Sequence, residues 1–368
     1  MLHQIMNVPG QQRAKDFLNR LAHSERVPHA LLFIGPTGSG NLALALEFAR
    51  YLQCEHPGDT GPCGQCKACV KTGQMAHPDV HFSYPTIGGG VSTDFIKQWR
   101  AAMSENPFLD VNTWLLRIGA ENKQGNINKD ECNAIIKKLS LKTFEGRYKI
   151  LVMWLPEYLG KEGNRLLKLI EEPPEGTIFL LAAENAELIL PTILSRCQLV
   201  RTDKLSDQEL VQSLLQMRDM DAARAQSIAF LADGDLHQAL QLADNTENDD
   251  GRMLLDWLRR CWKGNGIELV QWAEMFAAKG RENQKRFLQY GLYFLREMNL
   301  LTATGNTRLR LQAEELQTAQ NMAKVLNLYK IEQIARFFND NYYYIERNAN
   351  PKILFLDTSI KINQILKK

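Results

Sequence analysis

Residues His29 to Leu52 read HALLFIGPTGSGNLALALEFARYL, an apolar run that closes on glycine and reopens in a helical pattern. The first seven residues, ending at Gly35, are the unbroken apolar chain of a strand buried on both faces. From Asn41 onward, Leu42, Leu46 and Ala49 recur at helical spacing and share one face. A strand, a glycine-rich turn and a helix in that order form the opening of a βα unit, and such units build parallel sheets. Tyr148 to Leu155 (YKILVMWL) and Thr177 to Ala183 (TIFLLAA) supply two more buried strands. Between them, Lys161 to Glu172 carries Leu166, Leu167 and Ile170 and is expected to be a helix stopped by Pro173 and Pro174. Residues 1–203 are therefore expected to form an α/β domain.

The pattern changes after Arg201 to helix alone. Ser206 with Glu209 makes a capping box, Asp221 opens a second helix that stops near Gly234, and Asp235 with Gln238 caps a third. These predict a small helical domain over residues 204–246. Asp244 to Gly251, DNTENDDG, is polar and turn-rich and reads as a linker. Residues 247–368 keep helical periodicity, with Leu254, Leu255 and Leu258 and later Ile331, Ile334, Phe337 and Phe338, and predict a third, all-helical domain. At 368 residues, more than one domain is the expectation, and 45% hydrophobic content is ample to fill the cores.

Charge decides little for the whole chain, at a net +2, but it is unevenly spread. From Gly251 on, 19 Lys and Arg face 11 Asp and Glu. That excess points weakly to a polyanion and equally to a solvated helical surface. No apolar run approaches the roughly 18 residues of a membrane span, and the N-terminus lacks the features of a secretory signal. Seven cysteines, four of them clustered, argue against a disulfide framework and for a reducing, cytoplasmic setting.

Gly35 to Leu42 spells GPTGSGNL, against a phosphate-loop pattern of G-x-x-x-x-G-K-[ST]. Gly35 and Gly40 are correctly separated and Gly38 adds backbone freedom, so the loop can turn its amides toward an anion. Asn41 stands where a lysine would grip the β and γ phosphates, and Leu42 where a hydroxyl would hold magnesium. A charge-assisted hydrogen bond is worth roughly 1.5–3 kcal/mol, so the missing ammonium alone weakens binding about ten- to a hundredfold. The strand that would end in Asp-Glu to hold the metal ends instead in Trp154 and Leu155, and the first carboxylate is Glu157. No functional ATP binding is expected.

Cys54, Cys63, Cys66 and Cys69 give C-x8-C-x2-C-x2-C, with Pro57, Gly58, Gly61, Pro62 and Gly64 between and around them. Two-residue spacings let thiolates converge on one ion, and four sulfur ligands predict structural zinc with no open coordination position. An iron–sulfur cluster is the competing reading. His77, Asp79 and His81 in HPDVH are candidate metal ligands as well, with a turn before the next strand as the simpler reading. Cys132, Cys197 and Cys261 are expected to pack as small apolar side chains.

VPHALLFIGPTGSG, the cysteine insertion followed by HPDVHF, INKDECNAIIKKLSLKTFEGRYKI and LPTILSRCQLV together resemble the AAA+ clamp-loader family of bacterial DNA polymerase III, and within it the delta prime type. NANPKILFLD, Asn348 to Asp357, is similar to the last helices of that family's collar. The resemblance implies three domains: a nucleotide-binding-like domain, a helical lid and a helical collar that joins five subunits in an open ring. It implies as partners the tau or gamma and delta subunits, and through the assembly the sliding clamp and primed DNA. Asn41, Leu42, Trp154 and Leu155 favour the inactive delta prime type over the tau or gamma ATPase. Ala183, where an active relative carries a polar sensor, and His237, where it carries an arginine, agree. Ser195, Arg196 and Cys197 match the family's SRC motif, which implies that Arg196 is an arginine finger serving a neighbour's ATP; the residues alone leave a plain ion pair as an equal alternative. The rivals are a working ATPase, marked by magnesium-ATP turnover by the chain alone, and a zinc-dependent DNA-binding module, marked by salt-sensitive DNA binding of the basic C-terminal third.

Overall fold

In the computed structural model the described residues are 8–24, 27–120, 124–244, 250–305, 309, 311 and 313–367. The apolar runs become strands of one parallel sheet: β1 (Ala30–Ile34), β2 (Val80–Ser83), β3 (Lys149–Trp154), β4 (Thr177–Ala183) and β5 (Gln198–Arg201), in the order β2-β3-β4-β1-β5. Leu32 sits opposite Leu181 on one side and Leu199 on the other, and Val152 opposite Leu180. Every residue of β3 and β4 is buried, as unbroken apolar sequence requires, whereas three of the four in the edge strand β5 are exposed. The chain leaves β1 toward β2 at one edge and later crosses from β4 to β5 at the other. The order reverses at β1, so a crevice is expected at the C-terminal ends of β1 and β4.

Around the sheet run α1 (Gln12–His23), α2 (Asn41–Gln53), α3 (Lys67–Gly73), α4 (Ile96–Glu105), α5 (Val111–Arg117) and α6 (Lys129–Leu139), followed by α7 (Leu167–Glu171) and α8 (Pro191–Leu194). The helix expected over Lys161–Glu172 is only partly there. Residues Pro156–Leu166 form 3-10 turns broken at Gly160 (φ 50°, ψ −132°), and α-helix begins only at Leu167. Gly160 and Gly163 weaken helix propensity, and Leu159, Leu166 and Ile170 still reach the core formed with Leu151, Phe179 and Ile193. The stop before the two prolines is as expected.

The helical segment holds α9 (Asp207–Met217), α10 (Ala222–Ala232) and α11 (Leu236–Asp244). Its predicted caps form: Ser206 N–H donates to Glu209 Oε2 at 2.8 Å, Arg224 N–H to Asp221 Oδ1 at 2.8 Å, and Gln238 N–H to Asp235 Oδ1 at 3.1 Å. The predicted linker falls mainly on residues 245–249, which lie outside the described residues. Beyond it run α12 (Asp250–Lys263), α13 (Gly266–Ala277), α14 (Arg281–Thr304), α15 (Ala313–Met322), α16 (Leu328–Glu346) and α17 (Pro351–Lys367).

The chain divides into two compact units, Met1–Ser213 with Asp233–Leu240, and Leu214–Ala232 with Gln241–Lys368. The second is held by an aromatic core. Trp257 stacks on Trp272 with ring centres 4.9 Å apart at 9°, and Phe276, Phe287, Phe338 and Phe355 close around the pair. The buried Trp257 Nε1–H is satisfied by Ser359 Oγ at 2.8 Å.

Candidate functional site

The glycine loop lies where β1 ends. Gly35 N–H donates to the Ala183 carbonyl at 3.2 Å, Thr202 N–H to the Ile34 carbonyl at 2.9 Å, and Ser39 Oγ meets Thr202 Oγ1 at 2.9 Å. The ends of β1, β4 and β5 are thereby tied together. Gly38 adopts φ 70°, a left-handed conformation suited to glycine, and a Cβ there would collide with the Asp235 carboxylate.

The Asn41 side chain is taken up by backbone at the ends of β4 and β1. Its Nδ2 donates to the Ala183 carbonyl at 2.7 Å and to the Gly35 carbonyl at 3.3 Å, its Oδ1 accepts Leu42 N–H at 2.7 Å, and the residue is 6% exposed. Leu42 is buried as well. Neither side chain carries a charge. Ala183 contributes only backbone here, as acceptor for both Gly35 and Asn41.

At the end of β3, Trp154 and Leu155 are both buried, and Leu155 turns the chain at φ 55°. The first carboxylate is turned inward: Glu157 Oε1 accepts Glu184 N–H at 2.6 Å and Asn185 N–H at 2.8 Å. Burial pushes the Glu157 pKa up against the pull of these donors. Glu184, just past β4, is pushed up to about 7 by burial, opposed by a hydrogen bond with Thr37 and reinforced by Glu157, Asp110 and Asp235. Glu184, through Thr37, and Asp235, against Gly38, thus stand beside the loop.

The four clustered cysteines converge. Their sulfur atoms all lie within 4.8 Å of one another, the one such group of potential metal ligands among the described residues. Tetrahedral zinc with Zn–S near 2.3 Å sets sulfurs about 3.8 Å apart, and Cys63 Sγ is 3.9 Å from Cys69 Sγ. Backbone N–H groups point at sulfur, from Cys63 to Cys54 at 3.3 Å, from Cys66 to Cys63 at 3.4 Å and from Cys69 to Cys66 at 3.4 Å. The Cys66 and Gln65 amides draw the Cys63 thiol down to about 6, whereas burial raises Cys54 and Cys69. Donor set and spacing fit zinc. The module is anchored on α2, through Tyr51 Oη–H to the Gly58 carbonyl at 2.7 Å and Arg50 Nη2 to the Gly64 carbonyl at 3.3 Å, and Cys66 caps α3.

His77, Asp79 and His81 do not join this group. Asp79 accepts N–H bonds from Phe144 (2.6 Å), Glu145 (2.8 Å) and Gly146 (2.7 Å) and so fixes the turn that leads into β3, while β2 begins at Val80. Cys132 and Cys261 are fully buried, and Cys197 packs against the core of the sheet.

Ser195, Arg196 and Cys197 link α8 to β5, an element apart from the glycine loop. Arg196 pairs with Glu171 through Nη2, and its Nη1 donates to the Thr192 carbonyl at 2.7 Å and to Ser195 Oγ at 3.2 Å. The side chains of Arg196 and Glu171 are 34% and 42% exposed. A surface ion pair of this kind is worth about 1 kcal/mol or less.

The family described as "DNA polymerase III, delta subunit" matches residues 10–206, more than half of the chain. The chain belongs to that family. Among curated relatives, DNA polymerase III subunit tau of Bacillus subtilis is 23% identical over 97% of this chain, and subunit delta' of the same organism 25% identical over 66%. The chain spans 61% and 62% of the lengths of those two proteins. A gamma subunit-related protein of Thermotoga maritima aligns by structure over 96% of this chain and 99% of its own, at 14% identity and a TM-score of 0.41.

Sequence reasoning named the loop, the cysteines and Arg196, but not the neighbours that fix their chemistry. Glu171 and Glu184 carry no local signal, because each matters only through what folding brings beside it, and Asp110 offers only the signature of a helix cap. Helices α4 and α5, with the buried Trp99 and Trp114, also went unpredicted.

Proposed function

We propose that this chain is a noncatalytic, delta prime-type subunit of a DNA polymerase III clamp loader, which helps load the sliding clamp onto primed DNA. In this reading residues 1–203 are an AAA+ nucleotide-binding-like domain, 204–246 a lid and 247–368 a collar that joins the tau or gamma and delta subunits in a five-membered ring. The observation that carries it is Asn41: the residue in place of the phosphate-gripping lysine bonds inward to Ala183 and Gly35, and Leu42 beside it is buried. The five-stranded parallel order and the family membership support the same reading.

Such a subunit acts through what it lends. Arg196 exchanges Glu171 for the γ-phosphate on a neighbouring ATPase, where its planar guanidinium offsets charge that develops in the transition state. Zinc on Cys54, Cys63, Cys66 and Cys69 supplies folding energy to residues 54–70 and no catalysis, since four thiolates fill its coordination sphere.

The test is ATP turnover. The isolated chain is expected to show none. In an assembly reconstituted with cognate tau or gamma and delta subunits, Arg196→Ala should lower turnover at the site it faces by about 10³-fold or more while the ring still forms by size exclusion. Unchanged turnover removes the finger, and hydrolysis by the chain alone removes the noncatalytic assignment.

A further inference from the structure

Residues Asp233–Leu240 belong to the same compact unit as the glycine loop. Leu236 N–H donates to the Gly38 carbonyl at 3.3 Å, and the Asp235 carboxylate, which caps α11, lies against Gly38. Next to them His237 is 5% exposed and is gripped by the connection between α4 and α5. Asn106 Nδ2 lies 2.9 Å from His237 Nδ1, while His237 Nε2 is 3.0 Å from Thr113 Oγ1 and 3.4 Å from Asp110 Oδ1. With Nδ1 accepting from the Asn106 amide, an Nε2–H faces both the hydroxyl and the carboxylate.

That connection is itself fixed. Asp110 Oδ1 caps α5 through Thr113 N–H at 2.8 Å, and Asn106 Oδ1 accepts Phe108 N–H at 2.9 Å. Phe108 is 4% exposed, and its Cε1 lies 3.2 Å from where a Cβ on Gly40 would stand. One short segment therefore touches both the glycine loop and the start of α11.

We infer that Asn106–Thr113 is a built-in latch that holds the start of α11 against the glycine loop, doing from within the chain what a bound nucleotide would otherwise do by bridging the two. This goes beyond the absence of a lysine and a hydroxyl. A loop that has only lost its ligand groups would leave Leu236–Leu240 loose until something bound, whereas a latched one is closed from the start. The latch rests on contacts within this chain and is independent of Arg196 and of ring assembly.

Amide hydrogen exchange on the full chain, read at Leu236 and Ala239, tests it. In the nucleotide-free wild type both amides should be protected, and millimolar magnesium-ATP should change their rates by less than about twofold. His237→Ala, and separately Asp110→Asn with Thr113→Val, should accelerate exchange at Leu236 by about fivefold or more, as expected for losing one or two buried hydrogen bonds. Unaltered exchange at Phe179–Leu181 in β4 shows that the sheet is intact. Unprotected lid amides in the wild type, protection that appears only with magnesium-ATP, or variants that exchange at the wild-type rate would each overturn the latch. Should a variant fail to fold, the wild-type comparison with and without nucleotide decides alone.

Discussion

Asp79 shows how a residue that looks like a ligand becomes a brace. Next to His77 and near His81 it has the composition of a metal site, but its two oxygens are taken by three amides of the Phe144–Gly146 turn. Burial alone would raise its pKa; the Glu145, Phe144 and Gly146 N–H donors more than offset this, so the folded pKa lies below its ordinary value. Its contribution is therefore complete above an unfolded value near 3.9 and is lost as pH falls through the lower folded value. Asp79→Asn is expected to cost about 1–3 kcal/mol at pH 7. In urea melts the gap to wild type should narrow below about pH 4; a gap independent of pH would refute this account. Asn41 teaches the complementary lesson. The sequence says that the lysine is missing, but its inward bonds depend on β4, which lies far along the chain.

Among the elements, the cysteine module was the most legible, because ligand spacing is a local property and four thiolates need little else to converge. Its anchors on α2 were not legible. Cys66→Ser is expected to lower zinc affinity by more than about a hundredfold, beyond the effect of losing an outer-shell partner. It should also make residues 54–70 sensitive to protease while the sheet stays folded. A zinc assay with a chromogenic chelator and limited proteolysis measure both, and a wild-type chain purified without zinc would sink the assignment. Lys161–Leu166, expected as the first part of an α-helix, forms 3-10 turns for the opposite reason. Leu166 and Ile170 point into the core at a spacing that suits an α-helix, yet the backbone takes that form only from Leu167. Periodicity reports which residues are buried, and it is blind to a local tightening that keeps them buried.

On the scale of the whole chain, the aromatic core of the second compact unit draws mainly on residues after Asp250. A fragment from Asp250 to Lys368 is therefore expected to be helical and to melt cooperatively, with tryptophan emission that shifts to the red on melting as Trp257 and Trp272 are exposed. It gives up packing by Phe230 and the hydroxyl contact of Ser227 with Tyr293 at 3.2 Å, so it should melt below the full chain. Circular dichroism that shows a broad, non-cooperative loss of helix would argue against an independent third domain.

By itself the sequence determined the βα opening, the buried strands, the helix caps, the cysteine quartet and the chemical poverty of the glycine loop. Each is written in periodicity, spacing or the identity of a single side chain. Tertiary structure alone decided that Asn41 faces β4, that the Asp235 carboxylate lies against Gly38, that Arg196 rests on Glu171 and that His237 is held from α5. These are pairings between residues far apart in sequence, and their energies exist only once the sheet has set the distances.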